Sequence, residues 1–118
     1  MLKQEAAEHG LNYTLWGDRP VPALEVAMTM FHEAVLVVAP HGAGESNLLF
    51  SQPGTYVIEG VCNRPHVNLC YQRTAYILGH HYHAVVSKGG CEGHIDISAE
   101  EIRKVVKVHL KLWKNENT

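Results

Sequence analysis

The chain is poor in thiols, in long apolar runs and in net charge, and each shortage removes a class of protein. Its 118 residues include three cysteines, Cys62, Cys70 and Cys91, none in a CxxC pair and not all able to pair with one another. That excludes a disulfide scaffold or a zinc ribbon and leaves room for one bridge plus one thiol. The longest unbroken apolar stretch, Ala34 to Ala39, is far below the roughly 18 to 20 residues of a membrane-spanning helix. Ten Lys and Arg stand against twelve Asp and Glu, a formal charge of -2, so there is no basic excess to hold a nucleic-acid backbone. The opening Met1-Leu2-Lys3-Gln4-Glu5 is polar where a secretory signal carries positive charge followed by an apolar run. What remains, 46% apolar and 19% charged, is the composition of one globular domain spanning residues 1–118. A domain of this size buries about two thirds of its unfolded surface, enough for a core without staples.

Helix and strand signals alternate along the chain. Leu2 to His9 is rich in helix formers and stops at Gly10, and an extended run, Asn12 to Trp16, follows. After the breakers Gly17 to Pro22, Leu24, Ala27, Met28 and Phe31 recur at the spacing of one helical face. Val35 to Ala39 is β-branched and apolar without alternation, as in a parallel strand covered on both faces. A glycine loop, His41 to Gly44, leads into a short helix, Ser46 to Phe50, and Tyr56 to Glu59 is a further strand. Asn68 to Leu78 predicts a helix with Cys70, Thr74, Ile77 and Leu78 on its inner face and Gly79 as its stop. His81 to Val86 is the next strand and Lys88 to Asp96 a loop. Ser98 to Glu101 is a capping box, and Ile102, Val105, Val106, His109, Leu110 and Trp113 form the stripe of a last helix. Four strands separated by helices predict an α/β fold, an open parallel sheet with Rossmann-like alternation and right-handed crossovers. Because a helix precedes the first strand, the usual β-α-β opening is missing, and a piece of something larger is expected.

In open α/β sheets ligands bind beyond the carboxyl ends of the strands, where the loop after Ala39 lies. A helix start offers unpaired amides and about half a positive charge, and glycines let a phosphate approach them. The third glycine of the dinucleotide fingerprint is missing, so the loop by itself also reads as a tight βα turn.

The order Val37-Val38-Ala39-Pro40-His41-Gly42-Ala43-Gly44-Glu45-Ser46-Asn47-Leu48-Leu49-Phe50, then Gln52-Pro53-Gly54-Thr55-Tyr56-Val57-Ile58-Glu59, resembles the signature of glycosyltransferase family 61. In that family an HGAG-x-[ST]-N loop leads into F-x-x-PG-x-x-VIE. The likeness extends back to Phe31 and Ala34 and forward to Tyr71, Ala75, Gly79 and Tyr82, covering about Leu24 to Val86. It implies the C-terminal, donor-binding half of a GT-B glycosyltransferase, two Rossmann-like halves facing each other across the active site. Family members transfer a pentose or N-acetylhexosamine from a nucleotide sugar, here expected to be a UDP-sugar, to a glycan or glycoprotein with inversion. The acceptor side and the catalytic base then belong to a missing N-terminal half. By the same resemblance a eukaryotic member works in the Golgi or endoplasmic reticulum lumen, without a further cofactor. Two departures stand out: Glu45 where the family commonly carries an uncharged residue, and Ala27 where Gln is frequent.

The expected donor contacts are His41, Gly42, Ala43, Gly44, Ser46, Asn47 and Glu59. His41 donates to a phosphate oxygen or packs beside the turn. Ser46 and Asn47 bond the donor or cap the helix. Glu59 accepts ribose hydroxyls or ends a solvated strand. Glu45, in or just before the first helical turn, should repel an arriving diphosphate. His81 and His83 share a strand face, but no carboxylate or cysteine sits at ligand spacing beside them, and His66 and His94 would have to join from distant loops. No metal is expected, and a chelator should leave the melting temperature unchanged. Arg103, Lys104, Lys107, Lys111 and Lys114 give the last helix a solvated basic face. The rival functions are a Rossmann-like NAD-binding module, with Glu59 on the adenosine ribose, and a non-catalytic remnant of a glycosyltransferase.

Overall fold

The structure is a computed structural model and describes residues 1–15, 23–41, 43–62, 70–87 and 97–117. It is an α/β fold around a small open parallel sheet, strands β1 (Leu36–Pro40), β2 (Tyr56–Val61) and β3 (His81–Val86) lying in the order β1-β2-β3. The helices are α1 (Leu2–Glu8), α2 (Leu24–Glu33), α3 (Cys70–Ile77) and α4 (Ala99–Glu116), with a 3-10 helix, Ala43–Phe50, between β1 and β2. Central β2 is buried at every position, on both faces, although its sequence carries Glu59 and Gly60 among the apolar residues.

Its side chains still alternate between two layers. Ile58 packs with Val85, Val106 and Leu110, supported by Leu2 and Leu36, so α1 and α4 cover one face. Val57 packs with Phe31 and Leu48, supported by Val37 and Tyr82, so α2 and the 3-10 helix cover the other. On the first face Ile97 lies where a Cβ on Gly60 would stand, so the chain leading into α4 needs a glycine there. The Ser98 hydroxyl accepts from the Glu101 amide at 3.3 Å and starts α4, half of the expected capping box. Glu5 of α1, 2% exposed, receives Arg103 at 3.2 Å and Lys107 at 3.6 Å, so two residues of the expected solvated basic face are turned onto α1. Gly79, at φ 78°, ends α3, a left-handed stop that glycine adopts without a Cβ penalty.

Four expectations need correction. Residues 12–15 join no sheet, so the described strands number three: Leu11 packs against the α1 and α4 core, but Leu15 is 80% exposed. The helix after β1 begins at Ala43 instead of Ser46 and is 3-10 in form. Its buried residues Glu45 and Leu48, with Ser51 directly after it, recur every third residue, the period of a 3-10 rather than an α-helix. Ser46 and Asn47 therefore lie inside the helix and do not cap it. In α3 the inner face runs through Tyr71, Thr74, Ala75 and Leu78, so Thr74 and Leu78 lie as expected, while Cys70 and Ile77 face solvent; small Ala75 lets the helix approach β3. The stop at Gly79 and the extent of β3 follow the sequence reading, while β2 runs past the expected Glu59 to Val61 and α4 past Trp113 to Glu116. Cys62, just past β2, is disulfide-bonded. The expected loop 88–96, with Cys91 and His94, and the expected contacts of His66, lie outside the described residues. Among the described residues no helix is long and apolar enough to cross a membrane.

Candidate functional site

Three residues from three segments meet at the carboxyl end of the sheet: His41 directly after β1, Glu45 in the first turn of the 3-10 helix, and Glu59 on β2. One ligand-type atom from each lies within 4.8 Å of the others. No other group of three His, Cys, Asp or Glu converges in this way among the described residues.

Backbone register explains the meeting. Glu59 pairs with Ala39 on β1 and Ala84 on β3, so both flanking side chains are small. That leaves space above the carboxylate for larger groups one step along each neighbour. Tyr82 pairs with Val57 and reaches diagonally to Glu59, to which its hydroxyl donates. His41 is anchored by its own amide, which donates to the Gly60 carbonyl at 2.8 Å. Its ring Nδ1 lies 2.8 Å from the second Glu59 oxygen. The imidazole also tilts against Tyr71 of α3, centroids 5.2 Å apart.

Burial divides the roles. Glu59 is 0% and Glu45 2% exposed, while the His41 side chain keeps 30% of its surface open. Burial, then the bond to Glu59, pushes the Tyr82 phenol far above its usual value, with the Glu45 charge adding to the rise. Tyr82 is therefore a fixed donor at any physiological pH. Carboxylate and phenol orient the imidazole through Nδ1, and Nε2 is the ring nitrogen left for an incoming group.

The expected donor contacts distribute as follows. His41 and Glu59 are brought together, and Glu59 is no solvated strand end: it is buried, and its two oxygens meet Tyr82 and His41. Ala43 and Gly44 open the 3-10 helix, Ser46 is exposed and Asn47 half-buried within it. Gly42 lies outside the described residues. Glu45 is in the first turn, as expected, but buried toward His41 and Glu59 instead of standing at the solvent front. Sequence reasoning missed Tyr82 as the partner of Glu59, and Tyr71 as the ring beside His41, because only strand register and helix phase bring them there.

On the opposite face His81 and His83 do share a side, and α4 adds His109. Tyr56 stacks on His81 at 4.6 Å, and His109 meets both Tyr56 and His83 edge-on at 5.5 Å. These rings pack against one another without converging on a point. Two open surface grooves lie elsewhere, along Gln72, Arg73, Tyr76 and Ile77 of α3 and between α2 and Phe50, and neither touches His41, Glu45 or Glu59.

No family model, no curated protein and no solved structure matches the chain.

Proposed function

We propose that the chain is the donor-binding half of an inverting GT-B-type glycosyltransferase similar to family 61, holding the diphosphate of a nucleotide sugar over His41 and the start of the 3-10 helix. The observation that carries this reading is the position and support of His41. It stands at the carboxyl end of β1, the edge at which open α/β sheets take their ligands. A buried carboxylate fixes its ring. An imidazole held through Nδ1 offers Nε2 to a phosphate oxygen without first losing rotational freedom, and charge developing on a leaving diphosphate needs donors that are already oriented. Glu59 acts here as a positioning residue and contacts no substrate. The resemblance in His41–Glu59 and at Tyr71, Ala75, Gly79 and Tyr82 supports the same reading, since Tyr71 and Tyr82 are the rings around His41 and Glu59. A glycan or glycoprotein acceptor and the base that activates it belong to the opposite half of such an enzyme. The NAD alternative depended on Glu59 gripping a ribose, and a carboxylate engaged by Tyr82 and His41 is not presented for that.

Calorimetric titration of the chain with UDP, a UDP-sugar and NAD tests the proposal. Weak binding of UDP and the UDP-sugar is expected, about tenfold weaker in His41→Ala, with no sugar transfer by this chain alone. Binding of NAD in preference to UDP, or UDP affinity indifferent to His41, would reject it.

A further inference from the structure

We infer that His41, Glu45 and Glu59 form a binding site for one divalent transition-metal ion, with Zn²⁺ or Mn²⁺ as the fitting class. The inference does not rest on the glycosyl-transfer reading; it follows from the donor set, its burial and its support.

The donor set is one imidazole and two carboxylates, with one atom from each within 4.8 Å of the others. Ions of this class sit about 2.0 to 2.2 Å from nitrogen and oxygen ligands, which puts neighbouring ligand atoms roughly 3 to 3.5 Å apart. The 2.8 Å between His41 Nδ1 and Glu59 is a little under that range, so the ion replaces the hydrogen shared by the pair, which opens slightly to admit it while Glu45 closes on it. An imidazole ligand disfavours Mg²⁺ and Ca²⁺, which prefer all-oxygen shells, and the absence of a thiolate from the trio disfavours Cu⁺.

Burial supplies a second, independent argument. Glu45 and Glu59 are 2% and 0% exposed and direct carboxylate oxygens at the same point. Two neighbouring carboxylates withdrawn from water each raise the cost of charge on the other, and a divalent cation between them lowers it for both. Surface acidic clusters lack this feature because water screens them.

The surroundings are those of supported ligands. Tyr82 donates to one Glu59 oxygen, and the other, which meets His41 Nδ1 in the metal-free site, is the one turned to the shared point. The His41 amide is tied to Gly60. Two of the ligands come from the sheet or the residue directly after it, a more exact placement than a loop gives. Three protein ligands leave at least one coordination position for water or an oxygen anion, the arrangement of a reactive rather than a purely structural site. The 30% exposure of His41 marks the side from which such a group enters.

The test uses the full chain, stripped with chelator and titrated calorimetrically with ZnSO₄ and with MnCl₂ in the absence of nucleotide. One ion per chain is expected, with a rise of several degrees in Tm on Zn²⁺ addition and affinity at least tenfold weaker in His41→Ala and in Glu45→Gln. His83→Ala, in the ring cluster of the other face, should bind as the parent does. Absence of binding, or binding lost in His83→Ala and kept in His41→Ala, overturns the inference. Should a ligand variant fail to fold, Co²⁺ loading of the parent decides: its X-ray absorption should show one imidazole with oxygen ligands, and a shell of several imidazoles or of sulfur overturns the site. Because no nucleotide is present, Zn²⁺ binding without UDP binding would sink the glycosyl-transfer reading alone, and the reverse outcome would sink this one alone.

Discussion

The two faces of the sheet are built on opposite principles. Under α1 and α4, Ile58, Val85, Val106 and Leu110 are closed against one another, and the His and Tyr rings beside them stack. Under α2 and the 3-10 helix the apolar cluster is smaller, Phe31, Leu48 and Val57, and its continuation toward the carboxyl end is occupied by two buried carboxylates, an imidazole and a phenol. Apolar burial stabilises the chain in proportion to area, whereas buried charge costs stability unless paired. The first face therefore carries the fold and the second carries the capacity to bind. A segment held by 3-10 bonds, poorer in geometry than α-helical ones, covers the binding face.

The largest blow to this division comes from the apolar face. Leu110 is 2% exposed, and Leu110→Ala should cost about 2 to 5 kcal/mol through lost burial and the cavity left behind. Denaturant unfolding measures it. If the faces are separate in function, the remaining folded protein binds Zn²⁺ and UDP as the parent does, each corrected for the folded fraction. A loss of affinity in the folded fraction would join the two faces into one unit.

A smaller effect on stability, and a larger one on the site, is expected from Tyr82→Phe. The ring keeps its contacts in the Val57 cluster, but one buried Glu59 oxygen loses its donor. Leaving a buried acceptor unsatisfied costs about 1 to 3 kcal/mol. Glu59 is then free to rotate, so His41 loses its fixed orientation and UDP affinity falls with it. Lower stability with unchanged affinity would show that Glu59 needs no second anchor, and that the order of the binding face comes from backbone register alone.

The faces also differed in how far they could be read from sequence. The start of the strand Tyr56–Val61 and the helix Ala99–Glu116 were legible because composition, period and capping are local signals: the aromatic and β-branched Tyr56, Val57 and Ile58 for the strand, a stripe and a Ser98 cap for the helix. The 3-10 helix was not, because its buried Glu45 and the buried Ser51 directly after it are polar, and hydropathy assigns such residues to solvent. Nor was the Glu59 environment. His41 and Glu59 are 18 residues apart and Tyr82 stands 23 beyond Glu59. Only the pairing of Val57 with Tyr82 and of Ala39 with Glu59 makes them neighbours. Asn12–Leu15 shows the converse, residues of strand-like composition with no neighbouring strand to pair with in the described sheet.

The smallest expected effect is the response of two histidines, His80 and His83, to acid. Burial, with His109 adding its charge, lowers the pKa of His83 on the α4 face. Burial, with His81 adding to it, likewise lowers that of His80 at the entrance to β3. Each of these rings binds a proton less readily folded than unfolded, where the ordinary value is about 6.5. The unfolded chain therefore binds more protons as pH drops below about 6.5, and folding stability must fall with it until the lowered folded values are reached. Above the unfolded value the contribution is fully present, so stability should be level from about pH 7 to 8 as far as these two groups decide it. Melting temperatures measured at steps between pH 8 and 5 should show a plateau and then a decline. His83→Gln and His80→Gln should each shallow the decline, and the double variant more than either, because separated sites of this kind add. A decline of the same slope in the double variant would show that the acid sensitivity does not come from these two histidines.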